Sequence, residues 1–312
     1  MTIQQLLKTA PATTVLLVCF IGLYVLQVLS GVDANHPSTE ALLKWGANAL
    51  PYTMGYEPWR LVSSAFLHIG FMHLLFNGFA MYFFGQIAEP MFGSTKFLAL
   101  FILSAIGGNL LNNHITWQGI LDATAQPGLS AGASGGIMGI GAGLLIAALF
   151  KISVNNMVLN LKSLVFIMAI NLVYGFAVPG IDNAGHIGGA LTGLVIALAI
   201  GIAHRQRLIT TPAIPPNNYQ MDYKSNQSSN QTSHQTDYNS YSSDSTVDSN
   251  SQTANINASI HNSSAPFTKP AIAKPTLLWQ LLPWIVMLLV TIVFIWWWQD
   301  IHNQILQVLA AQ

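Results

Sequence analysis

Seven mostly apolar runs, near residues 14–30, 71–91, 96–113, 132–150, 158–177, 184–204 and 277–298, divide the chain. Each is close to the roughly 20 residues a helix needs to cross a bilayer. In hydrocarbon every backbone N–H and C=O must find its partner inside the protein, so runs of this length specify membrane-spanning helices. The predicted fold is therefore an all-α membrane protein, a six-helix transmembrane bundle plus one additional C-terminal transmembrane helix. Composition agrees: 52% of the 312 residues are apolar and 7% charged, against about 25% charged in an ordinary soluble domain. Formal net charge is zero, and no basic cluster interleaved with aromatics offers a nucleic-acid footprint. The one cysteine, Cys19, excludes an internal disulfide and a multi-cysteine zinc site.

Basic residues in short loops mark the cytoplasmic side. With the N-terminus inside, Lys8, Lys96, Lys151, Lys162, Arg205, Arg207, Lys224, Lys269 and Lys274 all fall inside, and only Lys44 and Arg60 fall outside. An uncleaved first helix is preferred to a cleaved signal peptide. Three parts are expected: a six-helix core over 1–206, a Ser/Asn/Gln/Thr-rich tether over 207–276, and a seventh helix with a short outside tail over 277–312. The tether's composition cannot build a core, so it is expected to be disordered on the cytoplasmic side. Trp279, Trp284 and Trp296 to Trp298 suit interfacial anchors of the seventh helix. The loop from Gly31 to Phe66 is long enough to suggest a functional role.

Polar groups inside spans are costly and face a protein interior or a wet cavity. The second, fourth and sixth spans run in the same direction, from outside to inside. Early in them stand His73 and Asn77, then Ser134, then His186. At about 1.5 Å per residue these groups share a depth and can converge. Glycines indicate how: the fourth span opens Gly132-Ala133-Ser134-Gly135-Gly136, and the sixth carries Gly189 and Gly193 with His186 on the same face. A serine hydroxyl needs a neighbouring base to become a nucleophile, and an imidazole serves. Ser134 and His186 thus form a candidate dyad, with the Ser134 backbone N–H, His73 and Asn77 as candidate oxyanion donors. His73 and Asn77 lie one turn apart and can point into one site. Ser130 is a weaker nucleophile candidate without the glycine frame; Asp182, one turn before His186, could orient it, but an Asp there reads first as a helix N-cap and stays outside the catalytic set. A metal site from His68, His73 and His186 is disfavoured, because no carboxylate and no H-E-x-x-H accompany them.

Trp59-Arg60, His68, His73, Asn77, Gly132-Ala133-Ser134-Gly135 and Ala184-Gly185-His186 with Gly189 and Gly193 resemble, in order and spacing, the rhomboid proteases. The resemblance covers roughly residues 10–205. It implies a rhomboid-like bundle, Ser134 as nucleophile, His186 as base, and oxyanion assistance from His73 and Asn77. It also implies structural support from Trp59, Arg60, His68, Glu89, Gly132, Gly135, Gly189 and Gly193. The implied activity is intramembrane serine endopeptidase, cutting transmembrane protein substrates, single-span ones foremost, without metal or other cofactor. The implied setting is the bilayer of a bacterial inner membrane, with the site near its outer face. One departure is Met138, where family members often carry an aromatic residue beside the base; a thioether can still pack on an imidazole face. Substrates are expected to enter sideways between the second and fifth helices, and Val178-Pro179-Gly180-Ile181 is a candidate mobile cap. The alternatives are a catalytically inactive relative that binds and escorts membrane proteins, and a transporter relaying protons through its histidines.

Overall fold

A helix begins where proline is tolerated and an N-terminal donor finds an acceptor, and the first long helix shows both. The computed structural model describes residues 3–152, 162, 164–166, 168–169, 182–210 and 277–311. In chain order the elements are α1 (Ile3–Thr9), α2 (Pro11–Leu29), α3 (Thr39–Lys44), β1 (Asn48–Ala49), α4 (Leu50–Thr53) and α5 (Arg60–Ser63). A 3-10 turn (Ser64–Phe66) precedes α6 (Phe71–Phe92), α7 (Ser94–Leu121), β2 (Leu129–Ser130), α8 (Ser134–Leu149), α9 (Asn183–Thr210) and α10 (Leu277–Ala310). They belong to one compact unit. The two short strands pair antiparallel, Asn48 with Ser130 and Ala49 with Leu129. That pairing ties the loop before α6 to the loop before α8.

Among the described residues, four helices are long and apolar enough to cross a membrane: α2, α7, α9 and α10. A fifth arises if Arg60–Phe66 and Phe71–Phe92, bent by 94°, count as one broken span. The protein is thus an all-α membrane protein. Of the expected span 158–177 only residues 162, 164–166 and 168–169 are described, and they are helical. The rest of that span, the candidate cap Val178-Pro179-Gly180-Ile181 and residues 211–276 of the tether lie outside the described residues. Side chains exposed on the bundle surface, among them Val15, Val18, Phe76, Phe79, Phe83, Leu288, Leu289 and Ile292, are apolar. In water such a surface would be a liability; against acyl chains it is the matching one.

Lipid provides no hydrophobic drive between helices, so close packing and polar contacts must hold them. Glu89, near the end of α6, is almost fully buried. Its carboxylate accepts from Ala12 N–H at 2.8 Å, Thr13 N–H at 2.7 Å and the Thr13 hydroxyl at 2.7 Å. Pro11 has no N–H to satisfy, and Ala10 in the capping position offers no side-chain acceptor. Glu89 therefore caps α2 from a distant helix, where a negative charge also suits the helix dipole.

α7 and α10 run well past their apolar segments. α7 continues to Leu121 and α10 to Ala310, because these ends pack on each other and on the loop between α2 and α6. Trp117 Nε1–H donates to Gln304 Oε1 at 2.9 Å, and Trp298 Nε1–H to the Thr53 carbonyl at 2.9 Å. His302 Nδ1 lies 2.7 Å from the Met54 carbonyl. A carbonyl only accepts, so His302 carries its proton on Nδ1 there. Ile301 is buried with Leu50, Met54, Leu61, Leu110 and Trp117. Outside the spans, the backbone N–H groups of His36 and Asn35 turn the chain around Asp33 and hold its carboxyl below the usual range.

Candidate active site

α8 is the innermost helix, and its sequence explains why. Six of its first ten residues are Gly or Ala: Gly135, Gly136, Gly139, Gly141, Ala142 and Gly143. A methyl added at Gly136 would run into the Phe101 ring, one at Gly139 into the Ser104 side chain, and one at Gly141 into the Met168 sulfur. On the α9 side the contact is backbone to backbone. A methyl at Gly189 would overlap the Gly135 carbonyl, and one at Gly193 the Gly139 carbonyl. This is the small-residue seam expected from the sequence, glycine facing glycine at two positions one turn apart. α9 meets α7 the same way, with the place of a Gly188 Cβ lying 2.6 Å from the Gly107 carbonyl.

Ser134 is the first residue of α8 and precedes Gly135; His186 stands three residues before Gly189. The seam therefore brings the starts of these two helices together. Ser134 is half-buried, as is His186, whose Nδ1 is buried without a partner among the described residues. Among those residues the Ser134 hydroxyl makes no hydrogen bond to His186. Catalytic hydrogen bonds are often loose in substrate-free sites and tighten with substrate. At 16 residues α8 is also short, about 24 Å at helical rise. The chain ahead of it enters the protein in non-helical form, which a membrane tolerates only where protein or a wet cavity surrounds it.

His73, in the first turn of α6, lies against Gly132. That glycine has φ +144°, and a Cβ there would sit 2.6 Å from His73 Cε1 and 2.9 Å from Nε2. A side chain at position 132 would thus be strained and would displace the imidazole. The Ile69 N–H donates to His73 Nδ1 at 3.2 Å. An accepting Nδ1 leaves the proton of a neutral ring on Nε2, the nitrogen facing Gly132. The N–H groups of Ser134, Gly135 and Gly136 belong to the first turn of α8 and have no intrahelical acceptor. The first turn of α8 thus offers backbone donors at Ser134, and His73 lies against Gly132, two residues before it. Asn77 is buried, and its amide donates to the His73 carbonyl of its own helix at 2.9 Å. One of its N–H bonds is accordingly spent on the backbone, leaving one uncommitted.

The supporting residues form a continuous path. Arg60 is buried, donates to the Leu43 and Ala47 carbonyls at 2.7 and 3.0 Å, pairs with Glu57, and stacks over Trp59 and Tyr52. It fixes the loop that leads into the 3-10 turn. There the Ser64 carbonyl accepts from Gly132 N–H at 2.9 Å, so that loop reaches the segment before the serine. His68 is buried between the rings of Phe20 and His73, with centroids at 5.2 and 5.5 Å. Met138 is buried one turn after Ser134. Among the described residues no three His, Cys, Asp or Glu side chains come together in a way that could hold a metal ion.

Sequence reasoning overlooked an amide cluster on α7. Asn109 donates to the Leu61 carbonyl at 2.9 Å and the Ser64 hydroxyl at 2.8 Å, and Asn113 donates to Asn48 Oδ1 at 2.8 Å. Asn112 donates to Asp182 Oδ1 at 2.9 Å. Three amides at i, i+3 and i+4 near the end of an apolar span were the available signal. Asp182 caps α9, accepting from Gly185 N–H at 2.7 Å, and Ser130 donates to it at 2.6 Å. The rival nucleophile Ser130 thus has its hydroxyl engaged with a carboxylate.

Residues 55–202 match the Rhomboid domain family model. The chain is 32% identical over 213 residues to the rhomboid protease AarA of Providencia stuartii, covering 63% of this chain and 74% of that protein. The chain belongs to the rhomboid family. It is also 35% identical over 188 residues to the rhomboid protease GluP of Bacillus subtilis (strain 168), covering 59% of this chain. Against RHOMBOID-like protein 5 of Arabidopsis thaliana it is 31% identical over 189 residues, covering 60% of this chain. The match spans 34% of GluP's length and 58% of the plant protein's. Every candidate site residue of this rhomboid, from Trp59 to Gly193, falls inside the matched domain, and α10 lies beyond it.

Proposed function

We propose that this rhomboid is an intramembrane serine endopeptidase in which Ser134 is the nucleophile and His186 the base. One observation carries the reading: the Gly135–Gly189 and Gly139–Gly193 seam that puts the two helix starts side by side, next to His73. The Ser134 hydroxyl attacks the scissile carbonyl while the His186 imidazole takes its proton. The developing oxyanion receives the Ser134 N–H and the His73 Nε2–H, with the free N–H of Asn77 in reserve. His186 then returns the proton to the departing amine, and water repeats the sequence on the acyl-enzyme. All the groups this requires are side chains and backbone of the chain itself.

The substrate in this reading is a transmembrane segment. A helix in lipid hides its carbonyls, so cleavage needs local unwinding where water and replacement partners are available. Single-span proteins with weak helices suit that demand, and sideways entry between α6 and the fifth span avoids pulling the substrate out of the bilayer. The same reading takes residues 1–206 as the six-helix core, 207–276 as the tether and 277–312 as the seventh span with its tail. It places the N-terminus inside and the site towards the outer face of a bacterial inner membrane. The test is cleavage of a helix-destabilised single-span substrate in proteoliposomes. Ser134→Ala and His186→Ala should each abolish it; cleavage retained in Ser134→Ala refutes the assignment.

A further inference from the structure

Resting on the reading of Ser134 and His186 as the reacting pair, we propose that Asp182 is a positioning residue that clasps the strand leading into the nucleophile to the helix start carrying the base. Three elements converge on its carboxylate. Oδ2 accepts from the Ser130 hydroxyl at 2.6 Å. Oδ1 accepts from the Gly185 N–H at 2.7 Å and from Asn112 Nδ2 at 2.9 Å. Ser130 ends β2, four residues before Ser134, and pairs with Asn48 across the small sheet. Gly185 is in the first turn of α9, one residue before His186. Asn112 belongs to α7, the wall on which α9 rests through Gly107, Gly108 and Gly188.

An ordinary cap needs none of this. A serine in place of Asp182 would satisfy the first-turn N–H groups of α9, but its short side chain has one oxygen and cannot also hold Ser130 and Asn112. The carboxylate has two oxygens with about four acceptor sites, enough for three donors. Among the described residues it makes no hydrogen bond to the Ser134 or His186 side chain; it acts through the relative placement of two backbones. The glycine seam fixes the distance between α8 and α9. Asp182 adds the restraint the seam lacks, because helices that touch through glycines alone can slide along one another. A slip of about 1 Å between nucleophile and base is enough to cost on the order of 10²-fold in rate.

The experiment is a variant series in proteoliposomes, with kcat and KM measured on one model substrate and folding checked by thermal unfolding in detergent. Asp182→Ser keeps the cap and loses the clasp; it is expected to lower kcat about tenfold to a hundredfold with KM little changed. Asp182→Asn, whose amide can reverse the Ser130 contact while its oxygen keeps the other two, is expected to retain most of kcat. Ser130→Ala should lower kcat alone, yet lower it no further when added to Asp182→Ser, since both remove the same link. Wild-type kcat in Asp182→Ser, additive losses in the double variant, or Asp182→Asn falling as far as Asp182→Ser each overturn the proposal. If an Asp182 variant does not fold, Ser130→Ala and Asn112→Ala carry the test, and wild-type kcat in both overturns it. Ser134→Ala in the same assay separates the two readings: cleavage persisting there defeats the dyad, whereas its loss beside fully active clasp variants defeats only the role of Asp182.

Discussion

Replacing Gly189 by alanine is the sharpest perturbation of this architecture. The new methyl would lie 2.7 Å from the Gly135 carbonyl carbon and 2.9 Å from its Cα, and would overlap the carbonyl oxygen, where ordinary contacts begin at 3.4 Å. The obstacle is backbone, so no side-chain rotation relieves it. α8 and α9 must part by about 1 Å, and overpacking of this kind costs about 1–3 kcal/mol of stability. The consequence for rate is larger, because the displaced residues flank the proposed dyad: about 10²-fold in kcat, or about 2.7 kcal/mol of barrier. The assay is proteoliposome cleavage together with thermal unfolding in micelles. Gly22→Ala is the control, since nothing lies within 4 Å of its Cβ position in the middle of α2; it should leave activity unchanged. A Gly189→Ala protein with wild-type kcat and stability would refute the claim that this seam sets the catalytic geometry.

Further outcomes follow from single contacts. His73→Ala removes the Nε2–H donor beside Gly132 and should lower kcat by about 10²–10³-fold; steady-state kinetics check this, and an unchanged kcat would take His73 out of the oxyanion site. Glu89→Ala leaves the Ala12 and Thr13 donors unpaired inside the bundle, for an expected loss of about 2–5 kcal/mol. Chemical denaturation in mild detergent reads it, and a loss under about 0.5 kcal/mol would show that α2 does not depend on this cap. Trp298→Ala combined with His302→Ala releases the end of α10 from the Thr53 and Met54 carbonyls, at about 1 kcal/mol per bond. Amide exchange should then rise across residues 50–56, and unchanged protection there would mean that α10 is not needed to hold that loop.

Much of this was legible in the sequence because membrane helices announce themselves by hydropathy and meet through small residues. The spacing of Gly189 and Gly193 put both on one helix face with His186, and the glycine frame of Ser134 supplied the matching surface. Hydropathy marks where lipid ends rather than where a helix ends, which is why the continuations of α7 to Leu121 and α10 to Ala310 went unseen. The 94° bend between α5 and α6 has no periodic signature either. Asn77 looked like a free oxyanion donor, but spacing alone could not show that one of its N–H bonds serves the His73 carbonyl. Asn109, Asn112 and Asn113 were visible as costly amides. Their partners are 45 to 70 residues away in the chain, and local pattern holds no information about them.

Ser134 is the hydroxyl that the neighbouring imidazole is proposed to activate. Purified protein treated with a fluorophosphonate and mapped by peptide mass spectrometry should carry the adduct on Ser134, with labelling lost in His186→Ala. An adduct on Ser130 instead, or substrate cleavage continuing after Ser134 is fully modified, would contradict it.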